Sequence, residues 1–273
     1  MANQLPTTLG KWSLVVAVNN EQVLKSTLLL SPAIKSNCQL ICKTGFSTAG
    51  QAYNSGLVEA ENDLVVFAHQ DVFLPEGWTH DLALALEKLH STDPNWGVLG
   101  VFGVTWDQPR CVGYCYSTGL RRVLGGAFSD PIKARSVDEV LLVVRRSSAL
   151  QFDGDLPGFH LYGADICASA SLVGLSSYIV PAFCVHNSNG LKSMPLAFWR
   201  AYLYLRSKWK DRLPLATCCT SISSSCMPMF RQMIADMREK IRPSREPGHR
   251  VEDIMDLYRT IAECTPDFGD NRG

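Results

Sequence analysis

The 273-residue chain predicts an α/β fold on a mostly parallel, twisted sheet flanked by helices, because unbroken apolar runs alternate with segments of helical periodicity. Leu14 to Val18 is apolar throughout, as expected of a strand covered on both faces. Asp63 to Ala68 repeats the pattern, and Cys38 to Cys42 supplies a strand between them in sequence. The 46% hydrophobic content is enough to fill one substantial core.

The elements follow in order. Asn19 and Asn20 end the first strand, and Glu21 to Leu30 reads as the first helix. Ser47 to Glu61 reads as the second, with Ser47 as its N-cap. Strand, helix, strand, helix, strand implies right-handed crossovers, with ligands beyond the carboxyl ends of the strands, where Asn19, Gly45 and His69 to Asp71 converge. Trp78, Leu82, Leu86 and Leu89 mark a helix to His90, and Gly97 to Val104 another strand. Asp107 to Ile132 has weak periodicity and reads as loops with a short hairpin. Val137 to Val144 and Tyr178 to Val185 read as later strands, with a helix near Tyr162 to Val173 between them. Residues 1–213 are thus one domain, and 214–273 a linker with two amphipathic helices, through Phe230 to Ile241 and Val251 to Ile261, separated by the Pro- and Gly-containing loop RPSREPGH.

Lys and Arg total 26 and Asp and Glu total 26, so no global field draws the protein to nucleic acid. The opening MANQLPTTLGKWS lacks a secretory pattern and no apolar run spans a bilayer, which predicts a cytoplasmic protein. None of the ten cysteines has the C-x-x-C spacing of a structural zinc site.

Chemistry concentrates where the third strand ends, in Asp63-Leu-Val-Val-Phe-Ala-His-Gln-Asp71. His69 and Asp71 lie two apart in an extended segment and so share a side, and an imidazole with a carboxylate suits a divalent cation. A loop aspartate capping its own turn is the competing explanation. His186 ends the last strand and would complete an N/O ligand set; a satisfied structural histidine is the alternative. Arg145 and Arg146 end an apolar strand and could meet a phosphate or acidic loops. The stripe Phe198, Tyr202, Leu205 and Trp209 reads as core, with stacking on a sugar or a basic flank on a membrane surface as alternatives, while Trp78 and Trp106 follow strand ends and are candidates for sugar stacking.

Several blocks in order resemble the inverting GT-A-fold glycosyltransferases, and more narrowly a family 2-like bacterial group, some of which are linked to capsule or antibiotic sugars. They are SLVVAVNN, AYNSGL, DLVVFAHQDVFLPEGW, VDEVLLVVRRSS, FDGDLPGFHLYGADIC, AFCVHNSNG and LRSKWKDRLP, from Trp12 to Leu213. The resemblance implies transfer from a nucleotide-sugar, a UDP-sugar in the first instance, to a saccharide or other hydroxyl acceptor, assisted by Mn²⁺ or Mg²⁺. It places nucleotide contacts at Val18, Asn19, Asn20, Ala52, Asn54 and Gly56, carries Asp71 over as the contact to metal and nucleotide, and matches His186 to a late histidine on the metal or diphosphate. His69 joins that metal ligand set on its own residue chemistry, and Gln70 and Arg145 are added as candidate nucleotide contacts. It makes Asp165, at a helix start, the catalytic base, although helix capping explains the same position. Gly56 reads equally as a helix cap.

Two departures matter. His69 stands where the family has the first Asp of Asp-x-Asp, and Ala164 where it often has Glu. They support a rival, a catalytically degenerate nucleotide-sugar-binding or scaffold protein. A nucleotidyltransferase is disfavoured, because Asn19-Asn-Glu-Gln22 is neither Gly-rich nor basic. The C-terminal helices leave a homodimer open.

Overall fold

The computed structural model describes residues 8–191, 193–241 and 246–264. Residues 1–7 of the opening MANQLPTTLGKWS, and residues 242–245 of the Pro- and Gly-containing loop, lie outside that range. The strands are β1 (Trp12–Val18), β2 (Cys38–Thr44), β3 (Leu64–His69), β4 (Val72–Phe73), β5 (Trp96–Gly100), β6 (Phe102–Thr105), β7 (Cys111–Ser117), β8 (Arg122–Gly125), β9 (Ile132–Val137), β10 (Leu141–Arg145), β11 (Ser176–Ile179), β12 (Cys184–His186), β13 (Leu215–Ala216) and β14 (Ser221–Ile222). The helices are α1 (Glu21–Ser26), α2 (Ala49–Glu59), α3 (Trp78–Thr92), α4 (Tyr162–Leu172), α5 (Leu196–Lys208), α6 (Met227–Ile241) and α7 (Ile254–Cys264).

The class is α/β, with a 12-stranded sheet ordered β2-β1-β3-β10-β5-β11-β9-β6-β7-β12-β4 and β8 paired to β7. The expectation of a mostly parallel sheet is corrected. β1 is parallel to β2 and β3, but β10 enters antiparallel to both β3 and β5, and the ladders beyond are largely antiparallel. The cause is local. Only Asp138, Glu139 and Val140 separate β9 from β10, so no crossover helix turns the chain round; β10 keeps the direction of β9, with β11 and β5 between them in the sheet, and so runs against β3. The apolar run Leu141 to Val144 reports burial on both faces, which is the same for either direction.

Other boundaries shift for similar reasons. The strand expected over Gly97 to Val104 breaks at Val101 into β5 and β6, and that over Tyr178 to Val185 into β11 and β12. Glu21 to Leu30 is α1 followed by a 3₁₀ turn from Leu28. The cap of α2 is Thr48, whose hydroxyl accepts from Gln51 N, rather than Ser47.

Two apolar layers hold the sheet. Trp12, Trp78, Leu82 and Leu89 pack on one face, while Tyr53, Phe67, Phe152 and Tyr162 pack on the other with the stripe of α5. Phe198, Tyr202, Leu205 and Trp209 are all buried, as core rather than as a sugar platform. Residues beyond 213 join this core: Ile222 packs against it, and Ile254 and Ile261 of α7 cluster with Phe73, Tyr114 and Val185. By contrast α6 exposes Phe230, Met233, Met237 and Ile241. No helix among the described residues is long and apolar enough to cross a membrane.

Candidate active site

Two ladders meet at one rim of the sheet. β3 delivers His69 at its carboxyl end, and β4 pairs antiparallel with β12, setting His186 opposite Val72. Asp71 lies just before β4, and its carbonyl accepts from Asn187 N at 2.8 Å. His69, Asp71 and His186 therefore gather, with one ligand atom from each within 4.8 Å of the others. His186 Nε2 stands 3.4 Å from Asp71 Oδ1.

The surroundings set the state of each group. Burial pushes the His69 imidazole down to about 4, helped by neighbouring His186, so it is neutral near pH 7. Its Nε2 lies 3.0 Å from the Tyr162 hydroxyl. That hydroxyl also lies 3.0 Å from the Glu139 carbonyl; when its proton goes to that carbonyl, Nε2 carries the proton between ring and hydroxyl and Nδ1 keeps the lone pair. Burial alone would raise the Asp71 carboxyl, but hydrogen bonding and charge from His186, with Arg250 beside it, hold it well below the usual carboxylate range. Burial would lower His186, and Asp71 outweighs it and raises the imidazole.

His69 and Asp71, with Gln70 between them, form one side of a cleft of about 410 Å³ lined by Ala17, Val18 and Asn19 from the end of β1, Lys43, Gly45 and Phe46 from the end of β2, Tyr53, and the loop residues Phe159 and His160, while His186 and Arg250 stand behind Asp71. Gln70 ties the rim together: its Oε1 accepts from the backbone N of Asn19 at 3.1 Å and of Asn20 at 3.0 Å. Asn20 also caps α1 through Oδ1. Val18, Asn19, Gln70 and Asp71 thus share the cleft wall.

The remaining residues singled out from the sequence lie elsewhere in the fold. Asn54 exchanges hydrogen bonds with the backbone of Phe152, Ala52 is buried, and a Cβ on Gly56 would meet Val15 Cγ1 at 2.2 Å, so this part of α2 holds the helix on β1. Arg145 pairs in register with Leu64, whereas Leu141 pairs with Ala68, so Arg145 is at the far end of β3 from the rim, about 13 Å away at the usual rise. It donates to the Trp96 carbonyl at 2.6 Å and stacks over that ring. Arg146 bonds the Ala60 carbonyl.

Asp165 also needs correction. It is 2% exposed, and both oxygens are taken, by Lys208 Nζ at 2.7 and 2.9 Å and by Trp209 Nε1 at 2.7 Å. The carboxylate anchors the end of α5 and does not line the cleft. Trp78 is buried against Trp12, and Trp106 lines a separate cavity of about 450 Å³ with Lys133, Arg135 and Arg212.

Sequence reasoning missed four participants. Arg250 donates from Nη2 to Asp71 Oδ2 at 2.9 Å across 179 residues of chain, a distance no spacing rule spans. His160 faces the cleft, and burial lowers its pKa, leaving a neutral imidazole. Glu139 and Tyr162 back His69; burial and then Asp138 push the Glu139 carboxyl up to about 8, while the backbone of Leu161 and Gly163 at the start of α4 opposes the rise. Adjacent acids opening the apolar run Val137-Asp-Glu-Val-Leu-Leu were the one visible signal.

No family model matches the chain. A Fuscovulum blasticum protein described as ATP synthase subunits region ORF 6 is 34% identical over 119 residues, 42% of this chain and 48% of its own length, so the match spans about half of that relative. Among solved structures, mannosyltransferase PcManGT from Pyrobaculum calidifontis, in complex with GDP-Man and Mn²⁺, superposes with a TM-score of 0.48 at 13% identity, covering 95% of this chain and 81% of that one. S. aureus TarS gives 0.46 at 14%, covering 72% and 39%. GalNAc-T7 with UDP, GalNAc and Mn²⁺ gives 0.45 at 12%, covering 94% and 58%. With TM-scores at this level, the chemistry of the rim is read from its own residues.

Proposed function

We propose that the chain is a glycosyltransferase that moves a sugar from a nucleoside-diphosphate donor, a UDP-sugar in our reading, to a hydroxyl acceptor with inversion, using a divalent cation. One observation carries this: two imidazoles and a carboxylate converge at the carboxyl ends of β3 and β12, and two of the three, His69 and Asp71, open on a cleft whose other side is formed by the ends of β1 and β2. The donor set fits a cation, since His69 is neutral, Asp71 is ionised, and all three ligand atoms lie within 4.8 Å. Mixed N and O ligands favour Mn²⁺ over Mg²⁺, which prefers oxygen. A bound cation would offset the charge of the departing diphosphate.

The chain's own groups would do the rest. Val18 and Asn19 would hold the nucleoside, with Gln70 fixing the Asn19 loop. His160 is neutral and faces the cleft, and it takes the place assigned from sequence to Asp165 as acceptor of the hydroxyl proton. Calorimetry with UDP, with and without Mn²⁺, on wild type and Asp71→Ala tests the site; equal affinity in all four titrations would rule the proposal out. His160→Gln should retain UDP binding while losing sugar transfer.

A second reading, a nucleotide-sugar-binding protein without turnover, is favoured by one feature: among the described cleft-lining residues, Asp71 is the sole carboxylate. Wild-type protein that binds donor and Mn²⁺ yet releases no nucleoside diphosphate over long incubation would establish it.

A further inference from the structure

We propose that Arg250, delivered by the stretch just before α7, is a diphosphate-binding residue at the edge of the cleft behind Asp71 and supplies the positive charge that sets its preference for a nucleoside-diphosphate leaving group. This rests on the transferase reading and adds to it a contact that neither the third-strand motif nor the late histidine provides.

The segment around Arg250 is fixed in place. Gly248 N donates to the Gly119 carbonyl and Gly190 N to the Gly248 carbonyl, each at 2.9 Å. A Cβ on Gly248 would meet the Thr118 carbonyl oxygen at 1.9 Å, so backbone lies directly on backbone there. Fully buried Asn187 clasps Val251 on both sides, accepting from its N at 2.8 Å and donating to its carbonyl at 2.9 Å. Ile254 then enters the core, fully buried.

From this base the guanidinium is held by two of its three nitrogens. Nε donates to the Asn187 carbonyl at 2.8 Å and Nη2 to Asp71 Oδ2 at 2.9 Å. Nη1 has no partner among the described residues, and the side chain keeps 28% of its surface open. A planar fork with two donors anchored and the third free is a preorganised anion contact.

Charge gives the contact its meaning. Asp71 Oδ1 faces His186 while Oδ2 faces Arg250, so the carboxylate can offer one oxygen to a cation and keep the other on the guanidinium. A divalent ion held by a single carboxylate and two neutral imidazoles, with a guanidinium alongside, leaves the rim net positive, the sign a diphosphate requires. The same guanidinium repels a bare cation, so Arg250 should weaken metal binding alone and strengthen metal with diphosphate.

Opposed effects make the test. Mn²⁺ alone, and UDP or GDP at saturating Mn²⁺, are titrated by calorimetry into wild type, Arg250→Ala and Arg250→Lys, with Arg259→Ala, on the exposed side of α7, as control. Arg250→Ala should bind Mn²⁺ several-fold tighter and the nucleoside diphosphate about 10- to 100-fold more weakly, as for loss of a charged hydrogen bond, with Arg250→Lys between. Unchanged nucleotide affinity in Arg250→Ala beside normal wild-type binding overturns the assignment alone. Loss of both affinities with a lowered melting temperature, shared by Arg250→Lys, shows a merely structural residue and also overturns it. Failure of wild type to bind either nucleotide sinks this inference together with the transferase reading, and is recognised by that pattern.

Discussion

Asp71, half-buried, and Asp165, buried, are both carboxylates that meet a cation, and they are built for opposite ends. The Asp71 side chain is 13% exposed, shares its oxygens with His186 and Arg250, and lies on an open cleft. That of Asp165 is 3% exposed and saturated by Lys208 and Trp209. Ligand can reach the first; the second is closed by the protein itself. Position at a helix start does not distinguish a base from an anchor, whereas the number of unfilled lone pairs facing a cavity does.

The sharpest way to break this contrast is substitution of each carboxylate. Asp71→Ala should abolish Mn²⁺-dependent nucleotide binding, exceeding the roughly 100-fold loss typical of outer partners of a metal site, and should also lower fold stability, because His186 and Arg250 lose their shared partner. Asp165→Ala should leave nucleotide affinity of the folded protein intact and cost about 3 kcal/mol in urea unfolding, because the indole N–H of Trp209 loses its acceptor and Lys208 retains only Asp153. If Asp165→Ala eliminates transfer while its urea midpoint stays unchanged, the anchor assignment is wrong.

Acid titration in chelator sharpens the same comparison, with opposite signs. Asp71, with its folded pKa lowered from 3.8, adds stability that is present above that ordinary value and lost as pH falls toward the folded one. Asp165, raised from 3.8 by burial against the pull of Lys208, makes the folded state lose stability as pH rises from 3.8 toward its folded value. Urea midpoints between about pH 3 and 6 should therefore show a shallower acid-side loss in Asp71→Asn, and a smaller decline with rising pH in Asp165→Asn. Identical slopes in the two variants would remove the distinction.

What the chain discloses about itself follows the range of the interaction. β1 and β3 were legible because burial on two faces writes an unbroken apolar run, and His69 with Asp71 because two residues in extended backbone share a side. The direction of β10 was not, since the same run suits either neighbour. The breaks at Val101 and after Ile179 arise where strands change partners, which apolar periodicity does not record. Lys208 lies 43 residues from Asp165, and Arg250 lies 179 from Asp71; such pairings are made by the fold, so an anchor looked like a base and a site cation like part of a linker.

Tyr162→Phe offers the smallest effect and tests how the rim is supported. With its proton on the Glu139 carbonyl, the hydroxyl accepts from His69 Nε2, and it lies 3.3 Å from the Tyr53 hydroxyl. Without it, His69 loses the acceptor that fixes which ring nitrogen carries the proton, and both tautomers become accessible. Mn²⁺ affinity should drop by about 10-fold, the lower end for loss of an outer partner, while the ring keeps its packing on Tyr53 and Phe152. Tyr53→Phe touches the same hydroxyl without touching His69, and should leave Mn²⁺ affinity within about 2-fold of wild type. Equal losses in the two variants would mean that the buried hydroxyl pair acts through packing, and that Nδ1 of His69 is not selected by Tyr162.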